Sequence, residues 1–232
     1  MTPLFIIRPE PGCEATVRAA RALGLNAHGF PLFEVRRLSW APPVPESFDA
    51  LLVGSANALR YGGSALAAYR GKPAYAVGET TAAGARDAGF EVAAVGEGGL
   101  QAMLTKIAPE HRRLLRLAGR ERVTLDLPPG LEMTEREVYA SQPLPMPSAL
   151  ADRLRDGGIV LLHSAEAAAH FAAECDRLGI ERGMPAIASL GPRIAAAAGP
   201  GWAAAESAPS PNDKALLALA SRMCQNDLGQ IS

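Results

Sequence analysis

The chain has 232 residues, 48% hydrophobic and 20% charged, which is enough apolar material for a packed core in one or two domains. A formal net charge of −1 excludes nucleic-acid binding by bulk attraction, although not a local basic pocket. Three widely spaced cysteines, Cys13, Cys175 and Cys224, with no C-x-x-C pair, argue against a disulfide framework or structural zinc and fit a reducing compartment. From the N-terminus, Leu4–Ile7 is apolar over a strand's length and Arg8-Pro9 ends it, with neither the charged start nor the apolar stretch of a secretory leader. No window reaches the roughly 20 apolar residues of a membrane span. A soluble cytoplasmic protein, a monomer with no membrane or nucleic-acid partner, is the expectation.

Short apolar runs then alternate with helical ones. A helix is predicted over Glu14–Leu23, stopped by Gly24, followed by a weak strand over Asn26–Phe30. Strands are predicted at Ala50–Val53, Ala74–Val77, Glu91–Val95 and Leu114–Leu117, with helices near Ala56–Tyr69, Thr80–Ala88 and Leu100–Ile107 between them. The second half gives a helix over Ala149–Arg155, a strand over Ile159–Leu162, a helix over Ala165–Leu178 and a strand over Ala186–Leu190. Helices near Arg193–Ala198 and Lys214–Met223 close the chain, and the polar tail Gln225–Ser232 is expected to fray. Strands alternating with helices imply doubly wound parallel sheets.

The two halves repeat one another. Ser55-Ala56-Asn57-Ala58 is echoed by Ser164-Ala165-Glu166-Ala167, and Val77-Gly78-Glu79-Thr80 by Leu190-Gly191-Pro192-Arg193, in the same order. Two copies of one α/β unit are implied, with a site expected where the copies face each other. Two proline-flanked extended segments, Phe33–Leu38 and Arg136–Ser141, interrupt the alternation and read as linkers. The resulting organisation is a discontinuous domain from residues 1–33 and 144–232, an inserted domain over 42–134, and linker strands 34–41 and 135–143. Arg36–Leu38 and Glu137–Tyr139 are predicted to pair antiparallel.

Ligands of parallel α/β sheets bind beyond the carboxyl ends of the strands. Standing there are Arg8, Gly54 and Ser55, Gly78, Gly119 and Arg120, His163 and Ser164, and Gly191. Small and hydroxyl residues at helix starts leave N–H groups free for anions. Simple helix capping explains Ser55, Thr80 and Ser164 equally well, and Arg120 with Arg122 also reads as a solvated charge run. P-loop, dinucleotide-binding and nucleophile-elbow motifs are absent, as is any nucleophile–base–acid set, and His28, His163 and Cys175 form no spaced metal cluster.

Arg8-Pro9, Ser55-Ala56-Asn57-Ala58, Ala76–Ala82, Leu117-Ala118-Gly119-Arg120, Val138-Tyr139 and Ile187–Ala195 together resemble uroporphyrinogen-III synthases, from about Leu4 to Leu219. The resemblance implies two flavodoxin-like parallel-sheet α/β domains, one discontinuous, joined by a two-stranded antiparallel linker. It implies a cyclising lyase that uses no metal or organic cofactor and closes the linear tetrapyrrole hydroxymethylbilane with loss of water and inversion of ring D. Tyr139 matches the linker-strand tyrosine proposed to donate a proton to the leaving hydroxyl, which a phenol can do because it is protonated at neutral pH; a packing aromatic is the plainer alternative. Ser55, Ala56, Asn57, Gly78, Thr80, Ser164 and Gly191 match positions lining the family's substrate cleft, and Arg8, Arg120 and Arg193 could pair with substrate carboxylates. The chain departs from the family pattern at Gly54 and His163, where Thr is usual, at Arg193-Ile194, and in the short stretch after Arg120, which leaves little room for the usual helix. The rival reading is a non-catalytic two-domain binding or sensor protein that closes on a small polyanionic ligand, with a tetrapyrrole methyltransferase third.

Overall fold

A computed structural model describes residues 2–228. The chain divides into two units, one formed by Met1–Glu34 with Gln142–Ser232 and the other by Val35–Ser141.

The discontinuous unit holds one five-stranded sheet. Its strands are β1 (Leu4–Ile6), β2 (Ala27–Gly29), β9 (Gly158–Leu162), β10 (Pro185–Ser189) and β11 (Ala205–Ser207), in the order β11-β10-β9-β1-β2, all parallel. Counted within the unit this is 2-1-3-4-5, the flavodoxin-like order, with its switch point between β1 and β9. The central strands β1 and β9 are apolar along their length because both faces are covered. Leu4, Ile6, Ile159 and Leu161 pack under helices α1 (Gly12–Ala22) and α8 (Asp213–Leu228). Their alternates Phe5, Ile7, Val160 and Leu162 pack under α5 (Ser148–Arg155), α6 (Ala165–Arg177) and α7 (Pro192–Ala198).

The inserted unit has six strands in the order β3-β8-β7-β4-β5-β6. They are β3 (Phe33–Arg37), β4 (Ala50–Val53), β5 (Pro73–Val77), β6 (Glu91–Gly96), β7 (Arg113–Gly119) and β8 (Glu132–Pro143). Strands β4 to β8 run parallel, with the order reversing between β4 and β7, so the switch point lies there. Leu51, Val53, Leu115 and Leu117 pack under α2 (Ala56–Gly62) and α3 (Glu79–Asp87), while Ala50, Leu52 and Leu114 pack under α4 (Leu100–Met103) and Leu125.

Several expectations need correction. The helix predicted near Ala56–Tyr69 ends at Gly62, because Gly63 sits at φ 75°, and Ser64–Tyr69 continues as a 3-10 helix. Leu100–Ile107 likewise splits into α4 and a 3-10 turn over Leu104–Lys106. The exposed edge strand β11 carries no apolar run and was not predicted. Of the tail expected to fray, residues up to Leu228 continue α8, while 229–232 lie outside the described residues. Segment Arg136–Ser141 is more than a linker, since β8 begins at Glu132 and is first a sheet strand beside β7. The ribbon itself forms: Leu38 N donates to Val138 O at 3.0 Å and Leu144 N to Leu32 O at 2.8 Å, so the partners run antiparallel. No described helix is long and apolar enough to cross a membrane.

One buried carboxylate ties the discontinuous unit together. Glu174 on α6, only 10% exposed, accepts from Met146 N at 2.6 Å and from Arg177 Nε and Nη2 at 2.7 Å. The Arg177 hydrogen bonds, helped by the Met146 amide and opposed by burial, hold its carboxyl at about 2. A folded-state value below the unfolded one gives stability that is present above the unfolded pKa and is lost as pH falls through about 2. Glu174→Gln is therefore expected to lose about 2 kcal/mol at pH 7. Denaturant titrations should show the gap between the two proteins narrowing below pH 4.5 and closing near pH 2.

Candidate active site

In the inserted unit, the carboxyl ends of β4, β7 and β8 enclose a pocket of about 130 Å3. Gly54, Ser55, Leu100, Arg116, Gly119 and Tyr139 are among its walls. Gly54 is a close-approach position, since a Cβ there would come within 2.7 Å of Leu100 Cδ1. Ser55 is extended, at φ −152°, and its Oγ accepts from Asn57 N at 3.2 Å, so it caps α2. Asn57 Oδ1 accepts from Arg60 Nη1 at 2.6 Å. The next turn is built on Gly78, whose φ of 77° suits glycine and which forms the N-cap of α3. Thr80 makes no capping bond; it stands exposed within the first turn, so the capping expected of it falls to Gly78.

Beside the pocket is a charged ladder. Arg116, in the middle of β7, is 2% exposed and donates through Nη1 to Glu135 Oε1 at 2.5 Å and to Val123 O at 2.9 Å, while its Nε is buried without a partner. Arg122 donates to Glu135 Oε2 and Glu137 Oε1 at 2.7 Å, and Arg120 Nε reaches Glu137 Oε2 at 3.3 Å. Burial works against the Glu135 charge, but Arg122 and Arg116 together hold its carboxyl below the usual range. Three arginines and two glutamates thus brace the segment between β7 and β8.

Tyr139 stands at the end of the same wall. Its main-chain oxygen accepts from Arg120 N at 2.9 Å, and its ring lies 6.3 Å, centroid to centroid, from that of Tyr61. The phenol oxygen makes no hydrogen bond with the described residues, and Tyr139 is one of the residues that line the pocket.

The switch point of the discontinuous unit is arranged differently. Arg8, after β1, donates through Nη1 to Asp213 Oδ2 at 3.0 Å, and Thr16 Oγ1 donates to the same oxygen at 2.7 Å. His163 Nε2 lies 3.2 Å from Asp213 Oδ1, but neither ring nitrogen has the alignment of a hydrogen bond. The Arg8 and Thr16 contacts are therefore the firmer restraints. The adjacent His163 ring, with Thr16 and Arg8 and against burial, holds the Asp213 carboxyl at about 2. Ser164 Oγ accepts from Ala167 N at 3.1 Å and caps α6. Gly191, at φ 179°, is merely extended, and Arg193 is exposed without an ion pair among the described residues. No group of three or more His, Cys, Asp or Glu that could hold a metal occurs among the described residues.

The family model described as uroporphyrinogen-III synthase HemD matches residues 14–218. The chain belongs to the uroporphyrinogen-III synthase family. Its fold is similar to that of the Helicobacter pylori uroporphyrinogen-III synthetase, with 18% identity, TM-score 0.67, and 96% of this chain and all of that one covered. A mutant uroporphyrinogen III synthase from Thermus thermophilus superposes with TM-score 0.56 at 17% identity, covering 97% of this chain and all of that one. No curated protein sequence matches at a significant level.

Membership in the uroporphyrinogen-III synthase family gives the alternative of a non-catalytic binding or sensor protein no support. The structure gathers Ser55 and Tyr139 around one pocket and sets Ala56 and Asn57 at the start of α2. Ala56 and Thr80 share a second, open groove between α2 and α3. Arg120 lies outside the first pocket and is engaged by Glu137, and Arg8 is engaged by Asp213. Sequence reasoning missed Asp213, Thr16, Arg116 and Glu135. Arg116 carried a readable signal, because an arginine within Leu114–Leu117 needs a carboxylate and Glu135 and Glu137 alternate on a neighbouring strand. Asp213 gave none, as its link to Arg8 spans the whole unit.

Proposed function

We propose that the chain closes hydroxymethylbilane to uroporphyrinogen III with Tyr139 as proton donor. The observation that carries this is a phenol with no hydrogen-bond partner among the described residues, on a residue that lines a switch-point pocket in a member of the uroporphyrinogen-III synthase family. A pyrrole nitrogen pushes the neighbouring hydroxyl off as water while Tyr139 supplies its proton, leaving an electron-poor azafulvene. The substituted carbon of ring D attacks it, giving a spiro intermediate. The older bond from that carbon to its methylene bridge on ring C then breaks, leaving a second azafulvene on ring C, and the free α-carbon of ring D attacks it. The proton that carbon loses at the final step balances the one given by the phenol.

The same substrate closes without an enzyme to the unrearranged isomer. The protein's task is therefore chiefly to hold one fold of the substrate, and orientation of this kind supplies several kcal/mol without a strong acid or base. In the inserted unit, the Ala56, Glu79 and Thr80 N–H groups, which helix geometry leaves without intrahelical partners, receive substrate carboxylates. Ser164 and Gly191 offer turns of the same kind within the discontinuous unit. Arg193 is uncommitted and can take a carboxylate directly. Arg8 and Arg120 contribute only by exchanging their present acidic partners. The protein works as a cytoplasmic monomer on a soluble tetrapyrrole, without nucleic acid or membrane.

Purified protein given hydroxymethylbilane should consume it faster than the spontaneous reaction and yield mainly the type III isomer after oxidation and separation. Type I product alone, at the spontaneous rate, is the result that would rule the activity out.

A further inference from the structure

We infer that Gly119 is a positioning residue for the reaction, because its bare Cα is the seat on which the Tyr139 ring lies. The inference rests on the reading of Tyr139 as proton donor and adds the residue that sets where the phenol stands. Three observations carry it.

The first is the register of β7 and β8. Arg113 to Ala118 pair one-for-one with Glu132 to Glu137, and then Gly119 pairs with Tyr139, leaving Val138 out of step. Met133, before the slip, packs on the α4 side of the sheet, whereas Tyr139 packs on the α2 and α3 side with Leu115 and Leu117. A bulge re-aims a side chain in this way, and bulges recur beside active sites. The slip is pinned where it ends, by the Arg120 N to Tyr139 O hydrogen bond at 2.9 Å.

The second is contact. A Cβ on Gly119 would lie 2.7 Å from Tyr139 Cε2, 2.8 Å from Cζ and 3.0 Å from the phenol oxygen. Distances under 3.0 Å require something to move, and the three nearest atoms all belong to this one ring.

The third is the backbone. Gly119 is not among the glycines with positive φ, so an L side chain fits its conformation without strain. Neither a turn nor the strand demands glycine here; the tyrosine ring does. Ala at 119 pushes the phenol away from the pocket wall that Gly119 and Tyr139 form together with Gly54 and Ser55.

The test is a kinetic cycle of Gly119→Ala, Tyr139→Phe and the double variant, with hydroxymethylbilane as substrate. G119A should lower kcat about tenfold or more, toward the Y139F value, with KM within about twofold of the parent. The double variant should be no slower than Y139F, since a displaced ring without its hydroxyl has nothing further to lose. Thermal unfolding accompanies the cycle: G119A should lower Tm in the parent and not in a Tyr139→Ala background, where the ring is gone. This comparison decides the seat even if G119A is poorly stable. Parent-like kcat in G119A beside a slow Y139F overturns the inference and leaves the donor reading standing. Independent, multiplicative losses in the double variant overturn it as well. A Y139F chain with parent-like kcat removes the donor reading, and this inference with it, and the Y139F arm alone tells that result from the others.

Discussion

Tyr139→Phe is expected to lower kcat for type III closure about a hundredfold while leaving the fold and KM nearly unchanged. General acid catalysis by a positioned side chain contributes on that scale. The phenol donates to nothing among the described residues, so deleting its hydroxyl breaks no internal hydrogen bond and opens only a small gap at the pocket wall. The ring stays beside Tyr61 and above Gly119, which keeps the shape of the site. Loss of kcat with KM and Tm preserved separates a donor from a packing aromatic. A packing aromatic would leave kcat intact, because Phe packs as well as Tyr. The product ratio gives a second readout. As the enzymatic rate falls toward the spontaneous one, the type I fraction should rise in proportion.

Glu135→Ala is expected to cost about 3 kcal/mol of stability, the largest effect among these substitutions. Arg116 is 2% exposed and its Nη1 binds Glu135; without that carboxylate a full charge remains inside the sheet with, among the described residues, the Val123 carbonyl to meet it. Breaking a buried pair from one side is more damaging than replacing both partners with apolar groups of similar size. The double variant Arg116→Met, Glu135→Leu should therefore recover most of the loss, and denaturant titration of the three proteins checks it. The pH dependence follows from Glu135 being held below the usual carboxylate range. Its contribution is present above the unfolded pKa and fades as pH falls through the folded one, so E135A and the parent should converge in acid. Because the ladder also braces the wall beside Tyr139, E135A should lose some activity even where it remains folded.

Elements whose signal is local were legible in the sequence. Strands β4 and β9 are continuous apolar runs of strand length, and β7 is an apolar run interrupted by Arg116; such short runs suit buried parallel strands. Ser55 and Ser164 stand one residue before helices and cap them, as their residue type allows. The antiparallel ribbon followed from two proline-flanked extended segments of similar length. What failed had a cause outside the local pattern. Strand β11 is three residues long at an edge and mostly exposed, so no burial shaped its sequence. Thr80 resembled a cap, but Gly78 two residues earlier takes the unusual backbone angle and starts the helix. The match of Gly119 with the Tyr139 ring depends on a one-residue slip between strands, and a slip leaves no mark in either strand read alone. The Arg8–Asp213 pair joins residues 205 positions apart, and only the strand order brings them together. The candidate site was thus readable as a set of strand-end turns, whereas the partners that fix or occupy its side chains were not.

The strand-end turns of the inserted unit, with Tyr139, are the proposed reacting centre. A crystal structure of the protein with uroporphyrinogen III bound tests this most directly. Product carboxylates are expected on the amides of Ala56, Glu79 and Thr80, with the Tyr139 hydroxyl facing the macrocycle. Product bound with both turns empty and Tyr139 turned away from it would contradict the claim.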